Sequence, residues 1–148
     1  MVERSDRAEA RSLLTEVTFR VRFAETDQMR IVHHAAYFVY FEEGRSELTR
    51  EHGLPYSELE AMGFSLALSD AQARYIAPAR YDQRVTVRAW IERLRSRGIT
   101  FGYEVIGTED GTLLVTGQTT HICVDRAGQV RRIPEDWLAP LRAGDPTL

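Results

Sequence analysis

Residues 25–37 read ETDQMRIVHHAAY and separate two segments of different periodicity. Before this stretch the apolar residues recur at every second position, as in a half-buried strand, and after it their spacing is that of a helix. The stretch holds the carboxylate of Asp27 and two adjacent histidines, His33 and His34. Because the unpaired N–H groups of a helix start stabilise negative charge, an acid at this junction can take part in chemistry. It can equally be a helix cap, and the spacing alone leaves both roles open.

The two flanking segments predict how this junction is placed in the fold. The apolar residues of the strand share one face and are Val17, Phe19, Val21 and Phe23. The helix is expected over residues 34–51, with Gly53 as its C-terminal cap. Its first half, residues 35–41, is apolar on every side. Such a segment is typical of a helix buried all round, so we expect this helix to enter the core rather than lie on the surface.

The rest of the chain is expected to form mostly strands. A short helix at residues 55–62 precedes them. The segments of strand composition are residues 64–75, 85–91, 99–105 and 113–124. Turns are expected at Asp110-Gly111 and Arg126-Ala127-Gly128, and Pro134 begins a short terminal helix. This order predicts an α+β fold in which an antiparallel sheet wraps around one long central helix. The open edges of its long strands predict a dimer.

Length and composition indicate one soluble globular domain. The chain has 148 residues, of which 43% are apolar and 28% are charged. We assign residues 1–15 to a lead, 16–142 to the domain and 143–148 to a tail. The net charge of −3 disfavours a nucleic-acid binder, and no apolar run reaches the length of a membrane span. Cys123 is the single cysteine, which excludes an internal disulfide and favours a cytoplasmic protein.

The junction and its flanks resemble the signature of the hotdog-fold acyl-CoA thioesterases. The residues that carry the resemblance are Val21-Arg22-Phe23, Thr26-Asp27-Gln28-Met29, Ile31-Val32, His33-His34 and Tyr37. The similarity is to the 4-hydroxybenzoyl-CoA thioesterase branch and its relatives associated with the Tol-Pal system. It extends over residues 18–138 and includes Tyr75 with Pro78, and Thr119-Thr120-His121.

The resemblance implies hydrolysis of an acyl-CoA or aryl-CoA thioester to the free acid and coenzyme A. Asp27 would be the carboxylate that attacks the thioester carbonyl or activates water, and Glu25 is expected to matter far less. A backbone N–H near His34, at the start of the central helix, would polarise the carbonyl. The resemblance implies no metal and no cofactor beyond the coenzyme A thioester itself. The implied assembly is a homo-oligomer, either a dimer or a dimer of dimers.

Three positions depart from the pattern of the family. Arg30 stands where many relatives have glycine, so that a positive φ at this position would strain it. Ala36 stands where an asparagine is common, and Phe23 where some relatives have tyrosine. These departures keep open a second class of function. The chain could belong to a non-catalytic protein that binds acyl thioesters or serves as a scaffold on the same fold. A hotdog dehydratase is disfavoured, because the sequence lacks the further Asp–His pair that such enzymes place together.

Two basic clusters are candidate sites for the phosphates of coenzyme A. Arg95, Ser96 and Arg97 lie with Arg93 in a turn between two strands, and Arg126 lies in a second cluster with Arg131 and Arg132. Either cluster can hold phosphates or be a solvated turn. His121 and Cys123 share one strand face, but two ligands are too few for a metal, so we expect them to be packing residues. Cys123 has no visible activator and is not interpreted as a nucleophile.

Overall fold

The computed structural model describes residues 11–54 and 56–148. Its five strands are β1 (Ser12–Arg20), β2 (Phe64–Tyr75), β3 (Arg84–Arg95), β4 (Gly98–Gly107) and β5 (Leu113–Asp125). They form one sheet in the order β1-β3-β4-β5-β2, with every neighbouring pair antiparallel. The helices of these residues are α1 (Ala36–Glu51), α2 (Tyr56–Ala61) and α3 (Glu135–Gly144), and a 3₁₀ turn spans Phe23–Glu25. The predicted α+β architecture with one long helix on an antiparallel sheet is confirmed.

Small residues let α1 lie close to the inner face of the sheet. A Cβ at Gly44 of α1 would lie 2.9 Å from Cγ1 of Val87, so only glycine permits this approach. On the sheet side, a Cβ at Gly117 would lie 2.3 Å from the ring of Phe41. That ring stacks on Tyr103 with a centroid separation of 4.4 Å. Close packing at these glycines therefore determines where the helix, and with it the helix start, is held against the sheet.

The beginning of α1 differs in two respects from the sequence prediction. The helix begins at Ala36, two residues later than expected. Tyr37 and Tyr40 are buried, as predicted, but Val39 is 49% exposed and Ala35 is also exposed. The prediction that this half of the helix is buried on every side is therefore wrong for the single chain. A helix that packs on one sheet buries one stripe of side chains, and the opposite stripe needs a second layer to cover it.

The first strand also departs from the expected boundaries. It begins at Ser12, so residues 12–15 belong to the sheet and not to the predicted lead, of which residues 1–10 lie outside the described part of the chain. The strand ends at Arg20, and the chain then enters the 3₁₀ turn. Phe23 consequently lies outside the strand alternation and is 75% exposed, although the periodicity predicted a core position.

The remaining predicted elements are present. Gly111 and Gly128 have φ values of 71° and 81°, as the two predicted turns require. The predicted short helix is α2, and Pro55 before it lies outside the described residues. Pro134 is the N-terminal cap residue of α3. No helix in the described residues is both long enough and apolar enough to cross a membrane.

One edge of the sheet is formed by β2. This strand is hydrogen-bonded to β5 on one side and is the last strand of the sheet on the other. Apolar side chains along it and just after it are open to solvent in the single chain: Leu68 is 58% exposed, Tyr75 is 48% exposed and Ile76 is 52% exposed. An open strand with exposed apolar residues is a surface for pairing with another chain.

Candidate active site

A hydrogen-bonded turn holds Asp27 between β1 and α1. Its backbone N–H donates to the carbonyl of Ile31 at 2.9 Å, and its own carbonyl accepts from the N–H of Arg30 at 2.9 Å. Its side-chain Oδ1 accepts from the N–H of Met29 at 2.8 Å. The aspartate therefore caps this turn rather than the helix, whose N-terminal cap residue is Ala35. This capping leaves the carboxylate in a defined orientation with its second oxygen available.

Arg30 closes the turn in a left-handed conformation. Its φ is 64°, the region that glycine adopts without a steric penalty. The conditional prediction that arginine would be strained at this position is therefore confirmed. The hydrogen bonds of Asp27 nevertheless hold the turn in place, so Arg30 by itself is not a sign that the loop has been lost.

This strain leads to a stability prediction for Arg30. We expect Arg30→Gly to raise the free energy of unfolding by up to about 1 kcal/mol, because a left-handed L-residue costs about 1–2 kcal/mol and the extra chain entropy of glycine offsets part of the gain. Urea denaturation measures this change. Arg30→Ala is the matched control, since it removes the guanidinium but keeps the Cβ, and it should give no gain. Equal stabilisation by both variants would contradict the strain account.

A second turn presents the start of α1 to the same region. The N–H of Ala36 donates to the carbonyl of His33 at 2.9 Å, and the N–H of Ala35 donates to Nδ1 of His33 at 3.1 Å. The hydroxyl of Tyr75 donates to the carbonyl of His34 at 2.9 Å. Within the described part of the chain, the His34 N–H donates to no acceptor. His33 therefore has the structural role that shapes this turn, and His34 offers a free donor at the helix start.

Asp27 and His34 line one cleft of about 420 Å³. The other residues that line it are Met29, Ile31, Val32, Tyr37, Tyr75, Ile76, Ala77 and Pro78. The walls are thus apolar or aromatic around a single carboxylate. No hydrogen bond joins the Asp27 and His34 side chains among the residues that the structure describes. The volume and the apolar lining of the cleft suit an apolar acyl group.

Sequence reasoning missed the roles of two tyrosines in this cleft. Tyr37, expected mostly as a core residue, forms part of the wall, and its ring meets that of Tyr75 edge to face at 5.7 Å. Burial raises the pKa of Tyr37 to about 12 and also raises the pKa of Tyr75. Both phenols are therefore neutral at physiological pH and serve as hydrogen-bond donors or apolar walls. No local pattern indicates this pairing, since the two residues are far apart in the chain.

The predicted phosphate-binding residues lie away from this cleft. Arg95, Ser96 and Arg97 line a separate groove of about 710 Å³ at the β3–β4 turn. The Arg126 guanidinium lies 3.7 Å from the place of a Cβ on Gly63, which directly precedes β2. The structure therefore brings the β3–β4 turn and Arg126 to one end of the sheet and Asp27 to the other.

The pairing register gives the separation of these ends. Gly98, next to the β3–β4 turn, pairs with Ile122, and Ile122 pairs with Ala67 of β2. The Asp27 cleft lies at Tyr75, eight residues further along the same strand. At about 3.3 Å per residue, eight positions span about 25 Å. Within one chain, the arginines of the turn do not reach Asp27.

The buried residues of β5 have the predicted packing role. His121 is 3% exposed, and its Nε2 is hydrogen-bonded to Oγ1 of Thr119 at 2.9 Å. Cys123 is buried, and burial raises the pKa of its thiol. No cluster of three or more His, Cys, Asp or Glu side chains able to hold a metal occurs in the described ranges. The raised pKa of Cys123 keeps its thiol in the unreactive protonated form.

An antiparallel sheet packed on one long central helix is the hotdog arrangement. The chain belongs to the thioesterase-like superfamily, whose family model matches residues 21–141. The predicted enzyme class, a thioester hydrolase, is therefore confirmed. The narrower similarity to Tol-Pal-associated relatives stays a prediction.

Individual relatives match most of the chain. YneP of Bacillus subtilis is 36% identical over 121 residues, which cover 79% of this chain and 87% of that protein. The acyl-CoA thioester hydrolase YbgC of Escherichia coli O157:H7 is 29% identical over 106 residues, covering 72% of this chain and 78% of that protein. The crystal structure of a DHNA-CoA thioesterase from Staphylococcus aureus superposes with a TM-score of 0.83 at 26% identity, covering 88% of this chain and 89% of that chain.

Proposed function

We propose that the protein hydrolyses an acyl-CoA or aryl-CoA thioester to the free acid and coenzyme A. The observation that carries this proposal is the meeting of two residues in one apolar cleft: Asp27, and His34, whose N–H donates to no acceptor among the described residues. Two similar proteins, YbgC and the Staphylococcus aureus enzyme, are named for acyl-CoA and DHNA-CoA thioesters. We also infer that the protein works in the cytoplasm, as its single cysteine favours.

The chemistry that this cleft can perform has two possible first steps. With the thioester oxygen at the His34 N–H, the carbonyl carbon faces Asp27. The carboxylate can take a proton from water, whose oxygen then attacks the carbon, or it can attack the carbon itself and form an anhydride that water later cleaves. In both routes the carbon–sulfur bond breaks, and the sulfur leaves as a thiolate that accepts a proton. In the first route water supplies the new oxygen of the free acid directly. In the second, water adds to a carbonyl of the anhydride; when it adds to the Asp27 carbonyl, the water oxygen stays on Asp27 and the free acid leaves with a former Asp27 oxygen.

The proposed role of His34 depends on its backbone more than on its imidazole. The Ala36 N–H donates to the carbonyl of the His33–His34 peptide, whose N–H would bind the oxyanion. The Tyr75 hydroxyl holds the next peptide, at the His34 carbonyl. His34→Ala keeps this N–H, so an intermediate loss of kcat is expected. The imidazole would contribute by covering the cleft.

We further propose that a second copy of the chain completes the site. The β2 edge is open, and two copies that pair through it about a twofold axis run antiparallel. The Tyr75 end of one β2 then lies beside the Phe64 end of the other. This arrangement brings Arg95, Arg97 and Arg126 of the partner toward the Asp27 cleft, although they are distant from it within one chain. The phosphates of coenzyme A would lie across the two copies.

A subunit-mixing experiment tests this shared site. We expect Arg95→Ala with Arg97→Ala to raise KM for an acyl-CoA about tenfold, to weaken its salt dependence and to change kcat little. Mixed with Asp27→Asn subunits, which keep both arginines, the double variant should regain a population of sites with wild-type KM. Only high-KM activity in the mixture would contradict the arrangement. Arg88→Ala, on the other face of the sheet beside Glu16, is the control and should leave KM unchanged.

Thiol release from a panel of acyl-CoAs tests the proposed function itself. Aryl, short aliphatic and long aliphatic thioesters are offered to the wild-type protein, and free coenzyme A is followed with a thiol reagent. Release above the uncatalysed rate for at least one acyl class is expected. The alternative is an acyl-thioester binding or scaffold protein on the same fold. Such a protein would release no thiol, and calorimetry would detect its binding to members of the panel.

A further inference from the structure

Glu25 forms a network that connects the Asp27 loop to the central helix. Its Oε1 accepts from the backbone N–H of Arg22 at 2.7 Å and from the hydroxyl of Tyr40 at 2.9 Å. Its Oε2 accepts from Nε and Nη2 of Arg22 at 3.1 and 2.8 Å. The carboxylate thus receives four hydrogen bonds, three from the chain that leaves β1 and one from α1. Glu25 does not itself line the cleft.

The charge state of the network favours these hydrogen bonds. Burial opposes ionisation of Glu25, but its hydrogen bonds with Arg22 and Tyr40 outweigh this effect and hold the pKa of the carboxyl below its ordinary value. Tyr40 is completely buried, and burial together with the neighbouring Glu25 raises the pKa of its phenol. At neutral pH the carboxylate therefore accepts and the phenol donates, which makes a charge-assisted hydrogen bond at a partly buried place.

The backbone of Glu25 meets the other half of the site. Its carbonyl accepts from the N–H of His33 at 2.8 Å, directly before the peptide of His34. The next residue, Thr26, forms a bridge with Val32 across the turn. Glu25 thus connects three parts of the site: the loop of Asp27, the turn that presents the His34 N–H, and the body of α1.

We propose that Glu25 is a positioning residue, which holds the Asp27 carboxylate at a constant separation from the His34 N–H. The inference rests on the proposed function, because the separation of Asp27 from the His34 N–H matters only if these two groups carry out the hydrolysis. It is consistent with the sequence-based expectation that Glu25 matters less than Asp27, but it gives Glu25 a defined role, since a small displacement of a reacting group costs rate even when the group remains present. Glu25 would act through Asp27 and not on the substrate.

A double-mutant cycle tests the positioning role. Glu25→Gln keeps the side-chain shape and Tyr40→Phe removes one hydroxyl, so each weakens the connection from a different side. We expect each variant to lower kcat about tenfold while KM stays within about twofold of wild type. Because both changes break the same connection, the double variant should lose little more than the more affected single variant. Losses that multiply, or kcat unchanged in both folded variants, would overturn the proposal.

A matched control removes a similar ion pair on β1, away from the 3₁₀ turn that holds Glu25. Glu16 on β1 accepts from Nε of Arg88 at 2.9 Å, far from the cleft. Glu16→Gln should leave kcat unchanged. A fall in kcat equal to that of Glu25→Gln would assign the effect to a general loss of negative charge and would overturn the proposal.

Amide hydrogen exchange separates this inference from the proposed function, because it requires no turnover. In Glu25→Gln and in Tyr40→Phe, the hydrogen-bonded amides of residues 26–33 should exchange about tenfold faster, with the sheet amides unchanged. Faster exchange confined to this segment would support the network even if Asp27→Asn remained active and the proposed function failed. Unchanged exchange in this segment would overturn the network whatever the activity of Asp27→Asn.

Discussion

Asp27→Asn should lower kcat for thioester hydrolysis by about 10²–10⁴ while leaving the fold intact, as loss of a general base alone is worth this factor. The amide keeps the size of the carboxylate, and its oxygen can still accept from the N–H of Met29, now 2.8 Å from Oδ1. It can neither attack a carbonyl nor take a proton from water. Steady-state thiol release measures kcat, and the thermal unfolding midpoint should stay close to that of the wild type.

Repeated turnover in labelled water then separates the two routes open to Asp27. Label that enters the Asp27 carboxylate indicates a covalent anhydride that water cleaves at the Asp27 carbonyl. Label found only in the released acid shows that water attacks the acyl carbon, as the activated-water route requires. His34→Ala and Glu25→Gln are the comparison variants, both with smaller losses than Asp27→Asn. If Asp27→Asn keeps most of the activity, the reaction is carried by another group and the assignment of this cleft is wrong.

Acid should destabilise the protein through His121, whose imidazole is enclosed between sheet and helix. Burial, assisted by the positive charge of Arg45, lowers its pKa from 6.5 to about 4. Between these values the unfolded chain binds a proton that the folded chain does not, so the free energy of unfolding falls as the pH falls. From pH 6.5 to pH 5 the loss due to this group is about 2 kcal/mol, and below about pH 4 its contribution no longer changes.

The measurement is urea denaturation at several pH values, with His121→Gln as the comparison. Glutamine can still hydrogen-bond to Thr119 but does not titrate, so the slope of stability between pH 6.5 and 5 should be shallower in this variant. The carboxyls of Asp110, Asp125 and Asp145 have lowered pKa values, so the stability they contribute is lost only at more acidic pH. Identical slopes in wild type and variant would show that folding does not lower the pKa of His121.

The sequence by itself determined the type and order of the elements and the place of the candidate acid. The alternation in β1 and the long helical pattern after Asp27 are local properties of the chain, and the structure confirms both elements. In a strand every second residue faces the core, and in a helix every third to fourth residue does, so the apolar spacing alone predicts them. The turn glycines Gly111 and Gly128 were predictable for the same reason, since φ depends on the residue itself.

Only the tertiary structure decided which of these residues meet. The Glu25–Tyr40 hydrogen bond, the support of His34 by Tyr75 and the separation of Arg95 from Asp27 depend on strand order and pairing register, which no local period encodes. The exposure of Val39 likewise depends on how many layers cover the helix. The apolar periodicity of a segment determines which face of that helix or strand is buried. The site, by contrast, is formed by strand ends and helix starts, which come together only when the sheet packs on the helix.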